Sequence, residues 1–200
     1  MTKRSDPVKF LQKADPVLAE VIKRVPRPEW QPSGEHFLRL VKEIINQQLS
    51  DKASATITER FLKLFPDGVV KPKLVLKLSD EHIRQSGISY AKVSYIKDLA
   101  SKTLAGKLDF EKIRKLSDAA VMEHLIQVKG IGRWTAEMFL MFSLGREDVF
   151  SYGDQGLKNA IKRLYRLKKH PTPRQAEKIS SKWRPYRTWA CRYLWASLDL

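Results

Sequence analysis

Residues 128–145 read VKGIGRWTAEMFLMFSLG, and this stretch decides the fold. Apolar residues recur at helical spacing on both sides of Gly130-Ile131-Gly132, so the turn (126–134) is a tight hairpin between two helices, the second over 132–144. Glycine permits positive φ and close approach of another backbone. A helix that starts at a hairpin leaves backbone N–H groups unpaired and pointing outward, where an anion can be held. The dinucleotide fingerprint G-x-G-x-x-G is a poor rival reading. Thr135 stands at its third glycine, and a helix rather than a strand precedes it.

The charge balance says which anion. Over 200 residues, 38 Lys+Arg stand against 22 Asp+Glu, a net +16. Such an excess governs association and favours polyanions, nucleic-acid phosphate above all. Five Trp, six Tyr and eight Phe exclude a disordered basic tail. The single cysteine, Cys191, excludes an intramolecular disulfide and a cluster held by four thiolates. Within TWACRYLW it reads as a small buried hydrophobe. The histidines at 36, 82, 124 and 170 lack zinc spacing. No apolar run reaches the roughly 18 residues of a membrane span, and MTKRSDPVKF lacks the apolar stretch of a secretion signal. An intracellular, reducing location with no membrane partner is the expectation.

Outward from the hairpin, helix signals dominate and no segment alternates, so the chain is expected to be all-α. Asp15-Pro16 is an N-cap and N1 proline ahead of VLAEVIKRV, and the Pro-rich 26–34 (PRPEWQPSG) is a linker. Residues 36–49 carry a broad apolar face, Ser50 caps a helix over 51–64, and Ser79 caps a short one to about Gln85. Gly87 separates that helix from one across 90–104, and Ser117 opens 118–127. Residues 148–153 run extended into a helix over 155–166. Thr172-Pro173-Arg174-Gln175 is a capping box for 173–182, and Pro185 opens a last helix.

Five segments recur in the order found in one family: IINQQLSDKA (44–53), GISYAKVSYIKDLA (87–100), the hairpin at 128–145, DVFSYGDQGLKNAI (148–161) and KWRPYRTWACRYLW (182–195). With them the chain resembles the helix-hairpin-helix (HhH-GPD) DNA glycosylase superfamily, in its 3-methyladenine DNA glycosylase II branch. One such segment would be unspecific; five in order are specific and span most of residues 15–198. The resemblance implies one glycosylase domain of two helical lobes with the active site in the cleft between them. Lobe one covers about 1–34 plus 146–200, and lobe two about 35–145. It further implies the minimal helical version, without the N-terminal β-domain of some relatives. The implied activity is monofunctional: alkylated purines of the 3-methyladenine and 7-methylguanine type are flipped out of double-stranded DNA and hydrolytically excised in base excision repair. The alternatives are another damaged-base specificity on the same fold, or a non-catalytic module that only grips DNA.

By that resemblance Asp154 is the catalytic acid. A fixed carboxylate facing the cationic deoxyribose of an N-glycosidic transition state stabilises it more than the ground state, and can orient or deprotonate water. Locally Asp154 also reads as the N-cap of 155–166, and the two roles can coexist. Trp134 stands where strand-cutting relatives carry a Schiff-base lysine, so no lyase step is expected, and its indole face suits a cationic alkylpurine. Met138 and Tyr186 match base-pocket positions, with core packing as the plain alternative. Trp183, Trp189 and Trp195 read as core, and Glu147 and Asp148 as solvated or capping charges. Gln48 falls at the side chain that fills the gap left by the flipped nucleotide, where some relatives use Leu. Without the resemblance, Gln47-Gln48 is an exposed helix end. Gly130, Gly132, Lys129, Arg133, Lys92 and Lys158, with Lys162, are candidate DNA-phosphate contacts. The carbonyls of Ile126, Val128 and Ile131 are the implied ligands of a Na⁺ or K⁺ ion at the hairpin. No organic cofactor is expected, since a cationic base leaves without a general acid. A monomer suffices for a cleft enzyme of this size.

Overall fold

A computed structural model describes residues 5–29, 31–32 and 34–200; positions 30 and 33 of the expected linker lie outside the described residues. Helices are the only regular elements among those residues. In chain order they are α1 (Pro7–Ala14), α2 (Pro16–Arg24), α3 (His36–Asn46), α4 (Asp51–Leu62), α5 (Pro72–Lys77), α6 (Asp80–Arg84) and α7 (Tyr90–Leu104). There follow α8 (Phe110–Ile113), α9 (Asp118–Ile126), α10 (Arg133–Phe142), α11 (Gln155–Leu164), α12 (Pro173–Ser180) and α13 (Arg187–Ala196).

Capping explains most of the starts. The side chains of Asp6, Asp15, Ser50, Ser79, Ser89, Asp109, Ser117, Asp154 and Thr172 each accept an N–H from the first turn that follows. Each such cap is worth about 1 kcal/mol. Thr172 and Gln175 close the capping box reciprocally. Three helices were not read from the sequence. α1 carries the same Asp-Pro start as α2, while α5 and α8 have only six and four residues, too few to display a helical period. Two boundaries also need correction. α3 stops at Asn46 rather than near 49, because Gln47 is extended (φ −51°, ψ 127°). Pro185 lies outside the last helix, which starts at Arg187 after a cis Arg184–Pro185 peptide.

The chain divides into two compact units, Met1–Pro32 with Gly145–Leu200, and Ser33–Leu144. In the first, α1 packs on α2, and both α2 and α11 pack on α13. Leu11, Leu18, Trp183, Tyr193, Cys191 and Leu194 are buried there. In the second, α7 packs against α3, α5 and α6, and α10 against α9 and α3. Its interior holds Leu40, Ile44, Phe61, Ile83, Ile96, Leu99 and Phe139. Each such side chain contributes about 1.5–3 kcal/mol by leaving water, which fixes the helices that carry the site. No helix among the described residues is long and apolar enough to cross a membrane.

Candidate functional site

In the first unit the candidate site is built around Asp154. It follows a segment that turns at 147–148 and 152–153 rather than running extended as the sequence suggested, and it N-caps α11, its Oδ1 accepting the Leu157 N–H at 2.8 Å. The same oxygen accepts the indole N–H of Trp195, on α13, at 2.9 Å. Two donors on one oxygen lock the carboxylate's orientation, and the residue is only 8% exposed. The N-cap reading therefore holds, and capping is part of what fixes the acid. Gly156 makes room for this pairing: a Cβ there would lie 3.0 Å from Trp195 Cδ1 and 3.2 Å from Asp154 Oδ1. Trp195 was read as core, yet its polar edge is turned onto the candidate acid. The available signal was chemical, since a half-buried indole N–H needs an acceptor.

Of the two sequence readings of the neighbouring charges, solvated or capping, the structure favours the second for Asp148, whose Oδ1 accepts the N–H of Arg187 at the start of α13 at 3.4 Å. Asp148 accepts Arg187 Nε at 2.7 Å and Arg184 Nη1 at 3.0 Å, and Glu147 Oε1 accepts the Trp189 indole N–H at 3.3 Å. Arg187 opens α13, so this clamp ties the segment leading to Asp154 to the helix that carries Trp195. Tyr186 is buried; its hydroxyl donates to the Ser5 carbonyl at 2.8 Å and its ring meets Phe10 edge-on at 5.3 Å. Lys158 and Lys162 lie on α11, the first half-buried and the second exposed.

The second unit carries the hairpin. Gly130 has φ +77°, and a Cβ there would fall 2.1 Å from Cδ2 of Tyr95. The close neighbour is thus an aromatic ring, not a second backbone. Gly132 does not need positive φ: it is extended at φ −94° with open space where a Cβ would stand. No side chain caps α10, whose first turn carries the positive end of the helix dipole. Arg133 is exposed and reaches the buried Glu137 at 2.9 Å. Lys129 is exposed, while its N–H donates to Asp98 Oδ2 at 2.9 Å. Burial alone would raise the Asp98 pKa; Lys102 and that N–H overcome it and hold the carboxyl below its usual range. Trp134, in the first turn of α10, is 40% exposed, which excludes an ordinary core tryptophan, and Met138, one turn on, is buried. The Ile126 side chain is exposed, those of Val128 and Ile131 are buried, and the Val128 carbonyl accepts the Ile131 N–H at 3.1 Å.

Gln47 and Gln48 part company. Gln48 is exposed with φ +57°, a left-handed conformation that costs a non-glycine residue about 1–2 kcal/mol. Gln47 is half-buried and donates from Nε2 to the Gly130 carbonyl at 2.8 Å. Lys92, on α7, turns its ammonium onto the carbonyls of Ile45 and Gln47 at 2.9 and 2.6 Å. Burial holds that amine below the ordinary lysine range. A sequence reading that made Lys92 a surface cation had no means of finding those carbonyls.

Residues 41–185 match the HhH-GPD superfamily base excision DNA repair proteins. DNA-3-methyladenine glycosylase 1 of Schizosaccharomyces pombe is 36% identical over 168 residues, 83% of this chain and 74% of that protein. The crystal structure of a DNA-3-methyladenine glycosidase from Bacillus halodurans superposes with TM-score 0.87 at 37% identity, covering 98% of this chain and 91% of that one. The S. pombe 3-methyladenine DNA glycosylase in complex with abasic DNA gives TM-score 0.89 at 33% identity, covering 98% of each chain. Some relatives are longer: the chain spans 58% of Bacillus subtilis YfjP, which is 36% identical to it. With the hairpin, the fold and a family match across most of its length in agreement, this chain belongs to the HhH-GPD superfamily of base excision DNA repair proteins.

Proposed function

We propose that the protein is a monofunctional DNA-3-methyladenine glycosylase that hydrolyses the N-glycosidic bond of alkylated purines in double-stranded DNA. The observation that carries this reading is the Asp154 carboxylate, nearly buried and oriented by Leu157 N–H and Trp195 Nε1–H. Bond cleavage sends the glycosidic electron pair into the already cationic base, which leaves neutral. The deoxyribose acquires oxocarbenium character, and the preoriented carboxylate opposes that charge. Water then adds at the anomeric carbon and gives up its proton, with Asp154 as acceptor. Trp134, Met138 and Tyr186 are proposed for the base pocket, the exposed indole stacking on the cationic purine. The lack of lysine at position 134 supports release of the base without a strand-cutting Schiff base.

Gln48 is proposed to fill the stack vacated by the flipped nucleotide. Gly130 and Gly132, with Lys129, Arg133 and Lys158, are proposed to hold the DNA backbone. The carbonyls of Ile126, Val128 and Ile131 suit a Na⁺ or K⁺ ion: Ile126 ends α9, where carbonyls carry partial negative charge, and Val128 keeps a second lone pair beyond its one bond. Such an ion, when bound, supplies positive charge toward a phosphate. No organic cofactor enters this reading, and the enzyme is proposed to act inside the cell as a monomer. The test is incubation with methylated duplex DNA and chromatography of the released bases. Wild type should liberate 3-methyladenine, and Asp154→Asn should bind DNA but release it about 100- to 1,000-fold more slowly. Equal release by both proteins overturns the assignment.

A further inference from the structure

Three groups on one face of α7 reach two separate segments of the second unit. Lys92, Tyr95 and Asp98 follow at intervals of three, so their side chains lie along one side of the helix. Lys92 holds the Ile45 and Gln47 carbonyls, two of the last three before the left-handed Gln48. Tyr95 lies against Gly130, in the space a Cβ would occupy. Asp98 accepts the Lys129 N–H and is itself held by Lys102 at 2.5 and 2.6 Å. The two segments are then joined directly, Gln47 Nε2 donating to the Gly130 carbonyl at 2.8 Å.

We infer that Lys92 and Gln47 are positioning residues, which brace the Gln48 turn and the Gly130 hairpin as one rigid piece on α7, and that Lys92 does not contact DNA phosphate. The inference rests on the glycosylase reading above. Its physical reason is that the conformation at Gln48 persists only where its surroundings over-determine it. An ammonium bridging two carbonyls just before the strained residue does this, and the Gln47 amide sets the turn's distance from the hairpin. A plug held in this way enters the duplex at a fixed offset from the groups that grip the backbone. Lys92 is partly desolvated and already makes two charge-assisted bonds, so recruiting a phosphate would mean breaking them.

The test compares wild type with Lys92→Met and Gln47→Leu in single-turnover release of 7-methylguanine. One DNA carries the lesion paired with cytosine, the other as an unpaired one-nucleotide bulge, where extrusion costs less. Each variant should be slower on paired DNA by roughly 10- to 100-fold, the scale of an ångström's misplacement, and much closer to wild type on the bulge. Lys92→Arg, which retains donors, should recover part of the loss. The salt dependence of duplex binding should be unchanged in Lys92→Met. Equal losses on both DNAs, no loss, or a salt slope lowered by about one unit overturns the inference. If Lys92→Met does not fold, Gln47→Leu carries the test with the ammonium intact. Amide hydrogen exchange on the free protein is independent of catalysis: both variants should speed exchange in 45–49 and 128–132 together, and a change confined to one segment overturns the bracing. Wild type releasing no base would instead defeat the glycosylase reading and leave the exchange result to decide the bracing.

Discussion

Trp195 donates its indole N–H to Asp154 Oδ1 at 2.9 Å, so a residue on the last helix orients the carboxylate proposed for catalysis. Trp195→Phe keeps the ring and removes the donor. A hydrogen bond to a charged acceptor is worth about 1.5–3 kcal/mol when its partner is lost, so base release should slow by roughly 10- to 100-fold. The Leu157 N–H remains to cap α11, so stability in urea should fall only by the loss of that one bond, about 1.5–3 kcal/mol. Single-turnover release beside an equilibrium unfolding curve checks both halves; unchanged release would assign the indole a packing role alone.

Exposure of Trp134 makes a second test clean. At 40% exposed, its removal should alter stability by less than about 1 kcal/mol. If the indole stacks on a cationic purine, Trp134→Ala should slow release of 7-methylguanine by about 2- to 30-fold, the range of a cation–π contact. The loss should be smaller for a neutral base such as hypoxanthine. Equal losses for charged and neutral bases would point to shape rather than charge.

The hairpin glycines should respond unequally to alanine. At Gly130 a methyl group meets the Tyr95 ring and an unfavourable φ of +77°, so Gly130→Ala should cost about 1–3 kcal/mol or more. At Gly132 the backbone is extended and the space open, so Gly132→Ala should cost no more than about 1 kcal/mol. If the Gly132 amide approaches a phosphate, that variant still loses DNA affinity. Urea midpoints and duplex binding at one fixed salt concentration separate the two effects.

Acid should loosen the first unit through Asp15. Burial alone would raise this carboxyl's pKa, but hydrogen bonds from Tyr165 and Trp183, with the nearby Lys182 charge, hold it below the usual range. The carboxylate also caps α2. A depressed folded pKa contributes stability that is present above the unfolded value near 4 and is lost as pH falls through the folded value. Asp15→Asn should therefore be less stable than wild type at pH 7, by about 1.5–3 kcal/mol. The gap should narrow below about pH 4. A gap constant from pH 7 to pH 3 would show that the charge contributes nothing.

Legibility followed the range of the interaction. Ser50, Ser79, Ser117, Asp154 and Thr172 were readable as caps because each side chain bonds an N–H only three residues on. α8, with four residues, offered no period to read, and Pro185 looked like a helix start although α13 opens two residues later, at Arg187. Trp195 was unreadable as a partner of Asp154, since 41 residues separate them. Lys92 looked like any exposed lysine because its acceptors are main-chain atoms 45 and 47 residues away.

Order of motifs, helix starts, the glycine hairpin and the basic charge were thus determined by the sequence itself, each being a property of a residue and its near neighbours or of the whole composition. Only the tertiary structure decided which polar atoms meet: Trp195 on Asp154, Lys92 on the Gln47 carbonyl, Tyr95 against Gly130. Helix packing chooses those partners, because burying the apolar faces fixes where each helix lies, and the donors and acceptors at its margins must pair with whatever that packing brings within reach.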